Sequence, residues 1–230
     1  MWIIKLLTSS IGRKVIMSLT GLFLCSFLLV HLVGNFQLLY GDDGKAFNTY
    51  AYFMTHNPLI KTISYGLYAM ILLHAVQGIL LYFTNKKKSG GKIGSKYAVS
   101  TNANGSWGSK NMALLGTFIL FFICIHMGDF WLKMKMGDLK MVPYEGYDAP
   151  IADLYTRVST AFDQLWIVIV YLIGLIALAF HLIHGFGSAF QTLGIRHKKY
   201  TPLINGLGVT FSVLVCLGFA LIPIIHYFNK

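Results

Sequence analysis

Five stretches of this 230-residue chain, Val15–Tyr40, Leu59–Thr84, Met112–Leu132, Asp163–Phe190 and Leu203–Phe228, are apolar over a length that matches a bilayer. A helix needs about 20 such residues to cross the hydrocarbon core. None of the five shows the apolar/polar alternation of a membrane β-strand, so helices are the spanning solution that satisfies every backbone group internally. The segments between them are rich in Gly, Asn, Ser, Lys and Asp, which marks loops. Composition agrees: 56% of residues are hydrophobic and only 12% are charged, against about 25% charged in a soluble domain. That balance excludes a disordered chain, a charged nucleic-acid groove and a disulfide-stapled secreted fold. The fold expected is all-α, a single integral membrane bundle of five transmembrane helices over residues 1–230. The first run has no small-residue cleavage site behind it and is too long for a signal-peptide core, so it is expected to remain as a helix.

Charge orients the bundle. One face would carry the N-terminus and the loops Asn85–Asn111 and Gln191–Pro202. It holds Lys5, Arg13, Lys14, Lys86, Lys87, Lys88, Lys92, Lys96, Lys110, Arg196, Lys198 and Lys199, with no acid. The other face holds the remaining basic residues and every acid: Asp42, Asp43, Asp129, Asp138, Glu145, Asp148, Asp153 and Asp163. Positive charge is retained on the cytoplasmic side, so the N-terminus is expected inside and Lys230 outside. Such a face binds anionic lipid headgroups and is also suited to docking an acidic soluble partner. Nucleic acid is not among the expected partners.

No internal repeat is evident. Gly90–Gly108 contains Gly94-Ser95-Lys96, but a phosphate-binding loop needs a longer glycine spacing set between a strand and a helix. Cys25, Cys124 and Cys216 all lie within apolar runs, where thiols act as small hydrophobes, and neither C-x-x-C nor C-x-x-C-H occurs. Nothing suggests a nucleophile–base pair, so no catalytic residues are assigned. The loop Lys133–Phe162 is the longest segment between spans, and no function is read from it.

The eight histidines carry the chemistry. His31, His74, His126, His181 and His184 lie inside runs, while His56, His197 and His226 lie in loops or at an end. An ionisable group within a span is a functional candidate by default, although one such histidine alone also serves helix packing when bonded to a carbonyl. Here four different helices each contribute one. At 1.5 Å rise per residue, His31 falls roughly 14 Å and His126 roughly 9 Å from the outer ends of their helices. His74 and His181 fall roughly 14–15 Å from the inner ends of theirs. The four sort into an outer pair, His31 with His126, and an inner pair, His74 with His181.

Two neutral imidazoles facing each other at one depth suit the two axial positions of a haem iron, and the apolar macrocycle suits a bundle interior. Two bis-histidine b haems, stacked across the membrane, are therefore expected. The second nitrogen of each ligand would donate to a carbonyl about one turn back, fixing the tautomer. Gly21, Gly34, Gly66, Gly78, Gly116, Gly174, Gly185 and Gly187 are compatible with a planar cofactor and equally with close helix packing. His184 lies three residues after His181, so helical periodicity does not choose between them. Depth favours His181, leaving His184 as a contact or propionate partner. Met70 and Met127 are further axial candidates, though methionine in apolar helices usually packs the core.

Ser10-Ile11-Gly12-Arg13-Lys14, Met17-Ser18-Leu19-Thr20-Gly21-Leu22-Phe23 and His31-Leu32-Val33-Gly34-Asn35 resemble the first-helix pattern of the dihaem cytochrome b subunit of succinate:quinone oxidoreductases. That class is the bacterial five-helix, single-subunit anchor of succinate dehydrogenases and fumarate reductases. Phe180-His181-Leu182-Ile183-His184-Gly185-Phe186-Gly187-Ser188, followed by Leu193-Gly194, resembles the family's fourth-helix motif. There the ligand precedes a loop glycine by thirteen residues, which matches His181 and Gly194. The resemblance spans essentially the whole chain and is most specific in helices one and four. It implies a flavoprotein subunit and an iron–sulfur subunit on the cytoplasmic face of a bacterial inner membrane, with this chain as anchor. Electrons would pass between the iron–sulfur subunit, the two haem b groups (protohaem IX) and a membrane quinone, typically menaquinone. A dimer of the complex is compatible with it. The resemblance also places Ser18 near an inner-haem propionate, with Arg13, Lys14, His184 and Ser188 as further candidates there.

Two departures limit the parallel. Ala179 stands where some members carry a glutamate, which removes a proton route through that carboxylate, and Ser188 and Thr192 replace basic residues. A quinone pocket near the outer haem needs a polar group, for which His56, Asn57 and Asp129 qualify by position. The competing readings are the cytochrome b subunit of a hydrogenase or formate dehydrogenase, expected to lack the helix-one pattern, and a haem or metal-ion transporter. A transporter would expose its ligands to a polar path, whereas Asp129 and Asp163 lie only at span ends.

Overall fold

A computed structural model describes residues 8–88 and 107–229. Lys5, Lys92, Lys96 and the Gly-rich stretch as far as residue 106 lie outside the described residues. The elements in chain order begin with α1 (Ser10–Asn35), which tightens into a 3-10 turn at Phe36–Leu39, then α2 (Lys45–His56) and α3 (Pro58–Lys88). Next, α4 (Trp107–His126) runs through a π-helical turn at Met127–Leu132 into α5 (Lys133–Met136). The strand pair β1 (Met141–Val142) and β2 (Ile151–Ala152), then α6 (Leu154–Phe162), α7 (Leu165–Thr192) and α8 (Thr201–Phe228), complete the chain.

Among the described residues, five helical stretches are long and apolar enough to cross a membrane: Ser10–Leu39, Pro58–Lys86, Lys110–Met136, Leu165–Thr192 and Thr201–Phe228. This is the anatomy of a multi-pass membrane protein. The stretches coincide with the five apolar runs and differ from them at the ends. The first begins at Ser10 rather than Val15, with the Ser9 hydroxyl accepting from the Gly12 amide at 3.0 Å to cap the turn. α3 likewise continues past its apolar run to Lys88. An apolar run marks where lipid contact stops, whereas backbone hydrogen bonding continues until a cap or breaker ends it. Along α3, Leu59, Ile63, Leu72, Leu73 and Phe83 are exposed. In water such exposed apolar side chains would be an aggregation liability; against lipid they make an ordinary helix surface.

The elements that the apolar runs do not announce are α2, α6 and the strand pair, a small antiparallel ribbon within an otherwise helical architecture. Met141 pairs with Ala152 and Val142 with Ile151. These elements are short, and α2 and the N-cap of α6 hold buried polar residues, Asn48 and Asp153, which breaks the pattern that a sequence reading depends on. Asn48 of α2 is fully buried. Its amide donates to the Tyr144 hydroxyl at 2.9 Å and to the Asp153 carboxylate at 3.0 Å, and its oxygen accepts from the Tyr155 amide at 2.9 Å. Asp153 in turn caps α6 by accepting from the Thr156 amide at 3.0 Å. Gly44, at the N-cap of α2, has φ +81°, and a Cβ there would enter the Tyr155 ring.

The contacts divide the chain into two compact units. One comprises the chain through Ser26 with Leu67–Phe118 and Ala177–Val213; the other comprises Phe27–Gly66, Ile119–Ile176 and Leu214–Lys230. In the first, Ser18, Thr20, Leu115, Leu182 and Ser212 are buried, and helices approach closely where Phe186 packs on Gly208. In the second, Phe47, Phe130, Phe162, Ile167, Tyr171 and Ile222 belong to one apolar core. Each unit holds one of the two histidine pairs singled out above.

Candidate functional site

In the first unit, α3 carries His74 and α7 carries His181, and their imidazoles face each other with ring centroids 6.1 Å apart and planes at 69°. Glycine lies against both rings. A Cβ at Gly21 of α1 would stand 3.3 Å from His74 Cε1, and one at Gly116 of α4 would stand 4.0 Å from His181 Cε1. His74 Nδ1 lies 3.0 Å from the Thr20 hydroxyl. His181 Nδ1 is buried and has no hydrogen-bond partner among the described residues.

In the second unit, α1 carries His31 and the last residue of α4 is His126. Their ring centroids are 5.7 Å apart with planes at 89°. Aromatic rings surround this pair. Phe27 stacks on His31 at 5.1 Å and Phe219 lies 5.5 Å from it, while Phe122 and Phe130 lie 5.9 Å and 5.5 Å from His126. His126 Nδ1 lies 3.2 Å from the Tyr171 hydroxyl. The Asn35 amide nitrogen donates to the His31 carbonyl at 2.7 Å and lies 3.3 Å from His31 Nδ1.

These partners correct one expectation. A carbonyl one turn back does meet Nδ1 of His56 and of His226, at 2.9 Å from Tyr52 and 3.2 Å from Ile222. The four paired histidines instead face side-chain hydroxyls, an amide and, for His74, the Met17 carbonyl of another helix, while His181 Nδ1 has no partner among the described residues. A carbonyl at i−4 is reached only when the ring folds back along its own helix, and rings aimed at another helix meet that helix's side chains. Thr20, Tyr171 and Asn35 are thus parts of the site that the sequence did not reveal. Whether a hydroxyl on one helix meets an imidazole on another depends on helix rotation, which residue spacing does not fix.

No protein-family model, curated protein or solved structure matches this chain. The residues themselves must therefore say what the site can hold. Among the described residues no group of three or more His, Cys, Asp or Glu could hold a metal ion, so a cage built wholly from protein ligands is not formed there. Two opposed imidazoles are what remains for the protein to supply when a macrocycle fills the other positions of its iron. An imidazole nitrogen sits about 2 Å from a first-row metal, so two imidazoles sharing one ion hold their centroids about 6 Å apart. Both pairs meet that spacing, and the chemistry of the donors fits haem iron.

The remaining candidates have individual placements. Ser18 is buried and its hydroxyl donates to the Lys14 carbonyl at 2.9 Å. Arg13 and Lys14 line a cavity of about 200 Å³ with Thr8, Ser10, Leu81, Thr84 and Asn85, and Arg13 reaches the Thr84 hydroxyl at 3.4 Å. Thr84 lies ten residues beyond His74 on α3, about 15 Å along the helix. His184 points its Nε2 at the Ser188 hydroxyl, 3.2 Å away, while His181 is the one that faces His74. His56 stacks on Tyr52, and the Asn57 side chain caps α3 by accepting from the Leu59 and Ile60 amides at 3.0 Å and 3.2 Å. Asp129, in the π-helical turn, pairs with Arg157. The three polar residues considered for quinone therefore have separate partners. The three cysteines are free.

Proposed function

We propose that this chain is the membrane anchor and electron-transfer subunit of a succinate:quinone oxidoreductase in a bacterial cytoplasmic membrane, with its N-terminus inside and its C-terminus outside. In this reading it joins a cytoplasmic iron–sulfur subunit, itself docked to a flavoprotein, to menaquinone through two bis-histidine b haems. The observation that carries the proposal is the meeting of four histidines from four spanning helices in two facing pairs, His74 with His181 and His31 with His126. The spacings, 6.1 and 5.7 Å, suit two imidazoles on one metal and are also those of ordinary edge-to-face ring packing, so it is the coming together of one histidine from each of four helices that carries the reading. The helix-one and helix-four resemblance supplies the identity of the complex.

The chain's own contribution is to hold, orient and exclude. Haem iron, when bound, supplies one-electron exchange. His74 and His181 would hold the inner group and His31 and His126 the outer one, with Gly21 and Gly116 leaving room beside the inner ligands. Phe27, Phe122, Phe130 and Phe219 keep water from the outer pair. Arg13 and Lys14 offer cationic partners for carboxylates at the basic end, with Ser18, His184 and Ser188 as further polar groups of the same unit. His56, Asn57 and Asp129 remain the candidates beside a quinone. Since the chain carries no dicarboxylate chemistry of its own, succinate oxidation or fumarate reduction belongs to the partner subunits.

The test uses membranes containing the intact complex. Addition of succinate or of menaquinol should reduce two b-type haems, seen as their sharp visible bands. Membranes in which neither donor reduces any b haem attributable to this chain would overturn the proposal.

A further inference from the structure

The Thr20 side chain occupies an unusual position for a buried hydroxyl in a span, and its three neighbours determine where the protons lie. Thr20 is 3% exposed. Its oxygen is 2.8 Å from the Ile16 carbonyl, 3.1 Å from the Met17 carbonyl and 3.0 Å from His74 Nδ1. A hydroxyl has one proton and two lone pairs, and a carbonyl oxygen can only accept. If the hydroxyl proton pointed at His74, the threonine lone pairs would face carbonyl oxygens at hydrogen-bond distance with no proton between them. The proton therefore goes to a carbonyl of its own helix, as threonine commonly does at i−4. A lone pair is then left facing His74 Nδ1, and that nitrogen must donate.

We infer that Thr20 is a positioning residue that holds the His74 proton on Nδ1 and keeps the Nε2 lone pair available as an iron ligand. The tautomer assignment stands on the hydrogen-bond geometry alone; its use as a ligand rests on the dihaem reading. Gly21, the next residue, completes the seat, since a Cβ there would stand 3.3 Å from His74 Cε1 and press on the ring that Thr20 holds. The opposite ligand shows no such control, because buried His181 Nδ1 has no partner among the described residues. The inner pair is thus asymmetric: the Thr20 hydroxyl, with the Met17 carbonyl beside it, accepts from one imidazole, and the other has no acceptor on Nδ1 among the described residues. An acceptor on the far nitrogen of an axial imidazole raises its basicity as a ligand, which favours ferric over ferrous iron.

The first readout needs no haem. In the haem-free full-length chain labelled with [15N]histidine, the His74 signals, identified by their loss in His74→Gln, should show a protonated Nδ1 and an unprotonated Nε2. Thr20→Ser should keep that pattern. Thr20→Val, close to threonine in shape but lacking the hydroxyl, should lower the ratio of the Nδ1–H to the Nε2–H form about three- to tenfold, the worth of one hydrogen bond. A wild-type His74 protonated on Nε2, or an unchanged ratio in Thr20→Val, would overturn the inference. The wild-type spectrum decides the assignment even should the valine variant fold poorly. In the haem-loaded complex, Thr20→Val should raise the inner haem's reduced-to-oxidised ratio three- to tenfold, about 30–60 mV at 59 mV per tenfold, with the outer haem unmoved. Equal shifts at both haems, or none, would also overturn it. An Nδ1–H wild type in a chain that binds no haem would sink the dihaem reading and leave the Thr20 assignment standing.

Discussion

Replacing Gly174 by alanine tests whether packing in the second unit sets the geometry of its histidine pair. Gly174 is buried on α7, and a Cβ there would lie 2.6 Å from Phe122 Cδ2 and 2.7 Å from Cγ. Carbon atoms in contact prefer about 3.5–4.0 Å, so the Phe122 ring must retreat by about 1 Å. It has little freedom to do so. Phe122 packs edge-on against Tyr171 at 5.0 Å and stacks on His126 at 5.9 Å, and the Tyr171 hydroxyl is itself 3.2 Å from His126 Nδ1. Overpacking of this kind costs about 1–3 kcal/mol, which corresponds to a roughly 5- to 150-fold loss of affinity. The loss should fall on the outer haem, because the displaced ring bears on His126. Gly206→Ala on α8 is the control, since a Cβ there meets nothing within 4 Å among the described residues. The assay is haem b content of the purified complex after extended washing, with the two haems separated by redox titration. Gly174→Ala retaining both haems and the thermal stability of Gly206→Ala would refute the reasoning.

Further outcomes follow from individual contacts. His181→Ala should lose the inner haem while His184→Ala, whose ring faces Ser188 rather than His74, should keep it; haem stoichiometry of the two variants decides, and the reverse pattern would reassign the ligand on α7. Burial works to raise the Asp153 pKa, but donation from Thr156 and Asn48 and the nearby Lys140 charge outweigh it and hold the carboxyl below its ordinary 3.8. That stabilisation is therefore complete above pH 3.8 and lost as the pH falls through the lower folded value. Melting curves at pH 7 and pH 3 should show a larger acid-induced drop for the wild type than for Asp153→Asn; equal drops would contradict this. Arg157→Ala leaves the Asp129 carboxylate, 19% exposed, without its partner, and should destabilise by about 1–2 kcal/mol. In a double-mutant cycle Asp129→Asn should recover part of that loss, and strict additivity would show that the pair contributes nothing.

The features most legible in the sequence were those governed by a single length. Five apolar runs gave five helices because span length and lipid thickness are linked, and counting residues at a fixed rise placed His74 with His181 and His31 with His126 at matched depths. Depth along a helix is a one-dimensional quantity. Rotation about the helix is not, which is why Thr20 and Tyr171 went unseen although each lies against a paired histidine. The same limit left His181 and His184 unresolved by periodicity; depth favoured His181, which is the one whose ring approaches His74. Asn57 looked like a polar group available to a ligand, but its side chain is engaged in capping α3. Asn48 shows the other failure: a polar residue in a short helix reads as surface, yet it is fully buried at the centre of a network with Tyr144, Asp153 and Tyr155. The π-helical turn after His126 left no mark in composition or spacing.

The most direct test of the central claim is a pyridine haemochrome assay on the full-length chain purified in detergent with its native partners, scored as protohaem per polypeptide. The account expects two b haems per chain, falling to about one when any of His31, His74, His126 or His181 is replaced by alanine. A chain that carries none would contradict it and return the paired histidines to helix packing or to an ion path.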